Sequence, residues 1–333
     1  IVADIAPRNR LGQMLGLAIG ATYVGLAVGP YFAGLVTTHL GWRWVFYLAA
    51  TPPMLSYLLS RATLKSQWHA PKKSVNLTNS ALLFFSIMAF IAGAAMLKQA
   101  VTGTALIALG FCMAALFIVA ERRSADPLIK VEEVVVNRAL SQALVIQFLI
   151  YCGTIGTTFL LSLYLQYIQG NTPETTGNIL VLAPVVMAVF APLAGRAADL
   201  MSPRRLSALG AASILCSLVL AALITERTDV GLIIAIMVFQ GLGFAMFSAP
   251  NIALIMNSVS PTERGMASAL SAVMRTLGMV ISMFIVTAFL SIQLGDGAIG
   301  DRPGEFLSVM SWSFIIFAVL TAFGVMLATT PRR

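Results

Sequence analysis

The sequence is divided into ten apolar stretches, each long enough to cross the hydrocarbon core of a membrane as a helix. Charged residues make up only 10% of the chain, against about 25% in a typical soluble domain. The stretches lack the alternation of strands, and a backbone in lipid must satisfy its own hydrogen bonds. The sequence therefore predicts an all-α polytopic membrane protein, with spans at roughly 11–37, 43–60, 77–97, 104–120, 139–168, 177–201, 206–224, 230–256, 265–290 and 307–328.

Lysine and arginine are distributed unevenly between the two sets of connections. One set holds fifteen of them and the other holds four, while Arg196 and Arg275 fall inside spans. Because positive residues remain on the cytoplasmic side, we expect both ends of this chain in the cytoplasm and the protein in the cell (inner) membrane. The net charge of +8 is scattered singly between apolar runs, a pattern that indicates membrane topology and not a nucleic-acid partner.

The first stretch combines high hydrophobicity with recurring glycine. Gly25, Gly29 and Ala33 are four residues apart, so on a helix they form one ridge with almost no side chain. Such a ridge lets a neighbouring helix approach closely in lipid, and Pro30 removes one helical hydrogen bond. The pattern predicts a bent helix that packs tightly on another.

The same stretch resembles the antiporter motif of the major facilitator superfamily. The matching residues are Gly16, Gly25, Gly29, Pro30, Ala33 and Gly34. The one departure is Ala33, where the family usually has glycine. The resemblance implies a major facilitator fold and assigns the first stretch to the fifth helix of an exporter.

A short repeat supports a two-half organisation. Proline, two polar residues, arginine and glycine open the first span at 7–12, with one extra residue, and the ninth span at 261–265. By comparison with a fold of two six-helix bundles, residues 1–60 are expected to hold the last two helices of the N-terminal half. Residues 61–138 would form cytoplasmic linkers and an inserted central helix pair, and 139–333 the complete C-terminal half. This resembles the fourteen-helix proton-coupled drug antiporters, whose first four helices would then lie outside residues 1–333.

The connection between the sixth and seventh spans resembles a cytoplasmic loop motif of the superfamily. Its residues are Gly195, Asp199, Arg204 and Arg205. Leu200 and Pro203 depart from the usual arginine and glycine. The resemblance implies that Asp199 docks on the start of the first span, near 10–12, where the helix dipole favours an anion. The alternative is a plain basic turn with a solvated aspartate.

Arg275 lies in the middle of the ninth span. A charge at that depth costs several kcal/mol unless it is paired or faces water, so we expect it in a cavity or between helices. A snorkelling anchor is the alternative. No acidic residue lies at a comparable depth in the ten spans, so a proton-carrying carboxylate is expected elsewhere.

Polar and aromatic residues recur at helical spacing in the fifth and eighth spans. The candidates for a substrate cavity are Gln147, Tyr151, Gln166, Gln240, Phe244, Phe247 and Asn251. Mobile aromatic side chains with few fixed charges suit bulky, amphipathic and often cationic compounds. The alternative for each residue is interhelical hydrogen bonding.

Together these features predict a transporter that exports drug-like or toxic organic compounds, by proton antiport with alternating access. Export of a defined metabolite, such as an amino acid or siderophore, is the alternative. An enzyme is not expected, because the sequence shows no nucleophile, base or metal cluster at a membrane surface. The expected partners are a small-molecule substrate, protons and the lipid bilayer, with an efflux partner in the cell envelope left open. No cofactor or metal is expected.

Overall fold

The computed structural model describes residues 10–63, 76–96, 100–124, 131–295, 297 and 299–330, which are almost entirely helical. The first five helices are α1 (Leu11–Leu40), α2 (Trp42–Thr63), α3 (Leu77–Ala95), α4 (Ala100–Arg123) and the short α5 (Val131–Val136). The next four are α6 (Arg138–Tyr151), α7 (Thr154–Leu163), α8 (Pro173–Leu180) and α9 (Leu182–Leu200). The last four are α10 (Pro203–Ala222), α11 (Val230–Asn257), α12 (Arg264–Gln293) and α13 (Pro303–Thr329).

Eight helical segments among the described residues are long and apolar enough to cross a membrane. The helix pairs α6–α7 and α8–α9 each count as one segment. Two helices that were expected to span fall short of this criterion. Proline, tyrosine and a terminal arginine lower the mean hydropathy of α2, and α3 has a shorter apolar range, Leu77–Gly93.

Side chains in the connections fix where several helices begin. Asn137 accepts a hydrogen bond from the Leu140 N–H at 3.1 Å and donates to the Ser258 carbonyl at 2.6 Å, which joins the start of α6 to the end of α11. Ser260 and Glu263 form a capping box just before α12. These caps satisfy N–H groups that a helix start leaves unpaired.

The helices from α6 to α13 share one hydrophobic core, in which the rings of Phe244, Phe306, Phe314 and Phe317 are fully buried. Helix α1 packs on α9 and α11, with Leu11 and Leu15 against two alanines of α11. Helices α3 and α4 pack mainly on each other. We call the end of the bundle where α1, α6, α10 and α12 begin the basic end.

The fifth predicted span, 139–168, is interrupted in its middle. Helix α6 ends at Tyr151, Cys152 and Gly153 form a turn, and α7 begins at Thr154. The Gly156 N–H donates to the Ser282 hydroxyl of α12 at 2.9 Å. A side chain of α12 therefore pairs a backbone group at the break, as burial in lipid requires.

Candidate functional site

Asp199 joins the end of α9 to the start of α1 at the basic end. Its carboxylate accepts hydrogen bonds from the backbone N–H of Gly12 at 2.7 Å and of Gln13 at 2.9 Å. These are first-turn N–H groups of α1, which have no partner within the helix and carry its positive dipole end. We call this the Asp199 contact; it lies at the place where the loop motif led us to expect it.

Glycines on both helices allow this close approach. A Cβ atom on Gly195 of α9 would lie 2.5 Å from the Gly12 carbonyl oxygen and 2.9 Å from the Gly16 Cα. A Cβ on Gly16 would lie 2.7 Å from the Ala191 carbonyl oxygen. The obstructing atoms belong to backbone, so only glycine fits at these positions without moving a helix.

The close contact with α9 is made by a glycine of the antiporter motif that lies outside the ridge predicted at Gly25, Gly29 and Ala33. Gly16 makes the close contact, whereas a Cβ atom on Gly25 or Gly29 would meet nothing within 4 Å. The packed glycines lie nearer the basic end, because α9 contacts the first half of α1. The side chains of Pro30, Ala33 and Gly34 lie outside the described residues.

The two arginines of the loop motif differ in their surroundings. The Arg204 Nε donates to the Ala328 carbonyl at 2.8 Å, in the last turn of α13. A cation at a helix C-terminus is stabilised by the negative end of the dipole. Arg205 is exposed. The residues around the loop between α9 and α10 thus contact two other helices. Asp199 places an anion at the start of α1, and Arg204 places a cation at the end of α13.

A polar cluster lies at mid-depth where α1 meets α6, α11 and α12. The Tyr23 hydroxyl of α1 shares a 2.7 Å hydrogen bond with the Ser248 hydroxyl of α11. The Tyr151 hydroxyl at the end of α6 interacts with both of these hydroxyls and with the Arg275 guanidinium of α12. The Tyr151 ring also lies 5.4 Å from that of Phe244, centroid to centroid. We call these five residues the central cluster.

The depth of the central cluster follows from helix geometry. At 1.5 Å per residue, Tyr23, Tyr151 and Arg275 each lie about 16 to 20 Å from the basic-end start of their helix. Arg275 is exposed, and no carboxylate of the described residues forms an ion pair with it. The structure places this exposed charge in the central cluster; its role in a cavity stays a prediction.

Gln147 and Asn251, two of the predicted cavity residues, hydrogen-bond to each other. The Asn251 amide donates to Gln147 Oε1 at 3.1 Å, and the Gln147 amide donates to the Ser271 carbonyl at 2.7 Å. Gln147 is 3% exposed and Asn251 1%. The two residues thus tie α6, α11 and α12 together, so they fit the alternative of interhelical hydrogen bonding.

Substituting Asn251 by alanine is therefore expected to lower the thermal stability of the protein by about 1 kcal/mol, the value of one interhelical hydrogen bond in a membrane. The substrate profile should not change, because Asn251 is buried. Thermal unfolding in detergent measures the first effect, and transport of two dissimilar substrates measures the second. A changed substrate preference at unchanged stability would contradict this assignment.

The remaining cavity candidates lie apart from the central cluster. Phe247 is 1% exposed and packs in the core, where its backbone N–H lies 2.7 Å from a Cβ built on Gly210. Gln240 is also buried, at 4% exposed. The Gln166 amide bonds to the Ser162 hydroxyl at 3.0 Å, in the π-helical segment after α7. Of the seven candidates, Tyr151 and Phe244 are the two in the cluster.

Sequence reasoning missed Tyr23 and Ser248. Tyr23 is the one tyrosine in the glycine-rich first half of α1, and Ser248 lies one helical turn from Phe244. Both features are visible in the sequence, but neither shows that the hydroxyls of Tyr23 and Ser248 meet across two helices. Among the described residues, no group of three His, Cys, Asp or Glu side chains is arranged to hold a metal ion.

Comparison with known proteins identifies relatives across the chain. Riboflavin transporter RibZ of Clostridioides difficile is 25% identical over 303 residues, which cover 88% of this chain and 64% of RibZ. Multidrug efflux pump LfrA of Mycolicibacterium smegmatis is 28% identical over 275 residues, covering 81% of this chain and 54% of LfrA. Multidrug resistance protein Stp of Mycobacterium tuberculosis is 24% identical, covering 85% of this chain and 53% of Stp. The chain spans between about half and two thirds of the length of these relatives.

The family comparison covers nearly the whole chain. Residues 1–121 and 143–333 match the profile of the Major Facilitator Superfamily, whose members carry small molecules across membranes and are not enzymes. The all-helical architecture and the multiple spans agree with this match. The chain belongs to the Major Facilitator Superfamily.

Proposed function

We propose that this transporter exports drug-like or toxic organic compounds, using proton antiport and alternating access. The observation that carries the proposal is the Asp199 contact, which closes α1 against α9 at one end of the bundle while Arg275 of the central cluster remains exposed. A closed end and an accessible mid-depth site are what one state of an alternating-access cycle requires. The similarity to Stp and LfrA supports drug export.

The proposed organisation follows from how the helices pack. Helices α1 and α2 are the last two helices of the N-terminal half, α3 and α4 are an inserted pair, and α6 to α13 form the C-terminal half. The shared core of α6 to α13 supports this division. The basic end faces the cytoplasm of a cell (inner) membrane, because fifteen of the 21 lysines and arginines lie in its connections.

The transport cycle would open the basic end by separating α1 from α9. Two charge-assisted hydrogen bonds break in that step, each of which contributes about 1.5 to 3 kcal/mol. Water and a new partner for Asp199 would offset most of this loss, which keeps both states accessible. The Asp199 contact thus acts as a reversible latch between the two halves.

The acidic side chains that the structure describes lie at helix ends or in connections. They are Glu121, Glu174, Asp199, Glu226, Asp229, Glu263, Asp301 and Glu305. We therefore expect the proton-carrying carboxylate of the proposed antiport outside the middle of the described spans. Proton coupling is supported by the antiporter motif of α1. An efflux partner in the cell envelope stays a prediction.

Export of one defined metabolite is the second candidate. RibZ, a relative over 88% of this chain, is named as a transporter of riboflavin. A defined polar substrate usually requires a fixed charge pair in the cavity, and Arg275 is the one member of such a pair that the described spans supply at mid-depth, so this function stays second. This function would use the same helices and the same latch, but with a narrow substrate range.

Efflux from energised cells tests the proposal. The complete protein is expressed, cells are loaded with a cationic, a zwitterionic or an anionic dye, and efflux is followed with and without a protonophore. We expect at least one dye to be exported, and its efflux to stop when the proton gradient collapses. Cells that carry the empty expression vector measure the efflux by background pumps.

The outcomes separate the two candidates. Export of several unrelated dyes supports a drug exporter. Efflux of none, from a protein shown to be in the membrane, favours the metabolite exporter. Efflux that persists with a protonophore present contradicts proton antiport.

A further inference from the structure

We propose that Arg275 and Tyr151 bind an anionic group of the substrate, such as a carboxylate. The site would then prefer anionic and zwitterionic compounds to permanent cations. This proposal rests on the proposed function and specifies the substrate class for the same site. It narrows the expectation from the sequence, in which mobile aromatic side chains with few fixed charges suited bulky, amphipathic and often cationic compounds.

The position of Arg275 is set by the packing of α12 on α6. One turn after Arg275, a Cβ on Gly278 would lie 2.6 Å from the Phe148 carbonyl oxygen and 3.0 Å from the Tyr151 Cβ. Helix α12 therefore touches the backbone of α6 just before the break at 152–153. This contact holds Arg275 beside the Tyr151 hydroxyl, which interacts with it.

The charge balance of the cluster favours an anion. Arginine keeps its charge and offers five N–H donors in a planar fork that matches a carboxylate. The other cluster side chains are two tyrosines, a serine and a phenylalanine, all neutral. No carboxylate of the described residues pairs with Arg275, and a cation at this depth is costly without an anion or water. A permanent cation would be repelled at the same position.

The hydroxyls of Tyr23 and Ser248 are arranged differently from Tyr151. They share one hydrogen bond at 2.7 Å, so each hydroxyl satisfies part of the hydrogen-bonding capacity of the other. Tyr151 interacts with this pair and with Arg275. A carboxylate held in the Arg275 fork could accept a further bond from the Tyr151 hydroxyl.

Phe244 is fully buried and supports the Tyr151 ring from the core side. Its ring lies 5.4 Å from the Tyr151 ring, at an angle of 57°. A flat organic substrate whose carboxylate is bound at Arg275 would bring its ring system close to the half-buried Tyr151 ring. The inferred substrate is therefore an aromatic or amphipathic compound with at least one anionic group.

A matched pair of dyes tests this inference. Rhodamine 110 has a free carboxylate, and rhodamine 123 is its methyl ester, so the two differ in the group that Arg275 would bind. Their binding to the purified complete protein in detergent is measured by fluorescence anisotropy. We expect the free acid to bind about 10-fold or more tightly than the ester, as a charged hydrogen-bonded pair predicts.

Variants assign the preference to Arg275. Arg275→Gln should remove the preference for the acid, and Arg275→Lys should retain part of it, because lysine keeps the charge without the fork. Arg123→Gln, at an exposed residue that ends α4, should bind like the wild type. Circular dichroism and membrane yield confirm that each variant is folded.

Three results would overturn the inference. They are equal binding of the two dyes, binding of neither dye, and a preference that survives Arg275→Gln. Because binding is measured without a gradient, it is independent of export. Retained acid preference without efflux from cells would overturn the proposed export alone, whereas efflux of both dyes without acid preference would overturn this inference alone.

Discussion

Replacing Gly195 by alanine is expected to reduce transport at least about fivefold. The new Cβ would lie 2.5 Å from the Gly12 carbonyl oxygen and 2.9 Å from the Gly16 Cα. Both obstructing atoms are backbone, so α1 and α9 must separate, and overpacking of this kind costs about 1 to 3 kcal/mol. That cost falls only on the state in which the basic end is closed. It lowers the population of that state roughly 5- to 150-fold.

A matched substitution controls for the added methyl group. Gly304 lies in the first turn of α13, where a Cβ meets nothing within 4 Å, so Gly304→Ala should transport like the wild type. Dye efflux, normalised to the amount of protein in the membrane, measures both variants. Normal efflux by Gly195→Ala would show that closure of α1 on α9 is not part of the cycle.

Replacing Asp199 by asparagine is expected to reduce transport at least tenfold. Asparagine has nearly the same shape, but its side chain has one oxygen and no charge. The N–H groups of Gly12 and Gln13 lose the carboxylate that accepts from both of them. The charge also loses its interaction with the dipole of α1, worth up to about 2 kcal/mol. Unlike a larger residue, asparagine causes no steric effect that could account for the loss.

The variant Asp199→Glu separates charge from geometry. Glutamate keeps the negative charge but has one more methylene, so it should restore part of the transport that asparagine loses. Initial rates in energised cells, at equal membrane expression, measure all three proteins. If Asp199→Asn transports at the wild-type rate, the Asp199 contact is a solvated turn without a role in closure.

Much of the arrangement at the basic end could be predicted from the sequence. The loop motif predicted that Asp199 would meet the start of the first span, and the structure has it bonded to Gly12 and Gln13. This prediction was accessible because the loop resembles a superfamily motif whose aspartate docks on a helix start of the other half, and because the repeat in the sequence showed which helix start that would be. The length of each hydrophobic stretch likewise predicted where most of the membrane spans lie.

The central cluster could not be derived from spacing alone. Gln147 and Tyr151 are one turn apart on α6, yet Gln147 bonds to other helices while Tyr151 lies beside Arg275. Which of two neighbours faces a cavity depends on how α6 packs on α11 and α12. The pairing of Tyr23 with Ser248 depends in turn on the position of α1.

The break in the fifth span was also missed. Its sequence contains no proline, and Cys152-Gly153 is compatible with a continuous helix in lipid. The break is stabilised by tertiary contacts, among them the bond from the Gly156 N–H to Ser282. A side chain 126 positions away in the chain cannot be assigned to this role by local pattern.

The distance between α1 and α9 at the basic end is the most direct test of alternating access. Spin labels at Arg10→Cys and Ser202→Cys, two exposed residues that flank the Asp199 contact, report it by pulsed electron paramagnetic resonance. The exposed Cys112 and Cys216 are replaced by serine beforehand. We predict a short and a long distance population, with the short one depleted by Asp199→Asn. A single distance that neither substrate, pH nor Asp199→Asn changes would contradict the proposed mechanism.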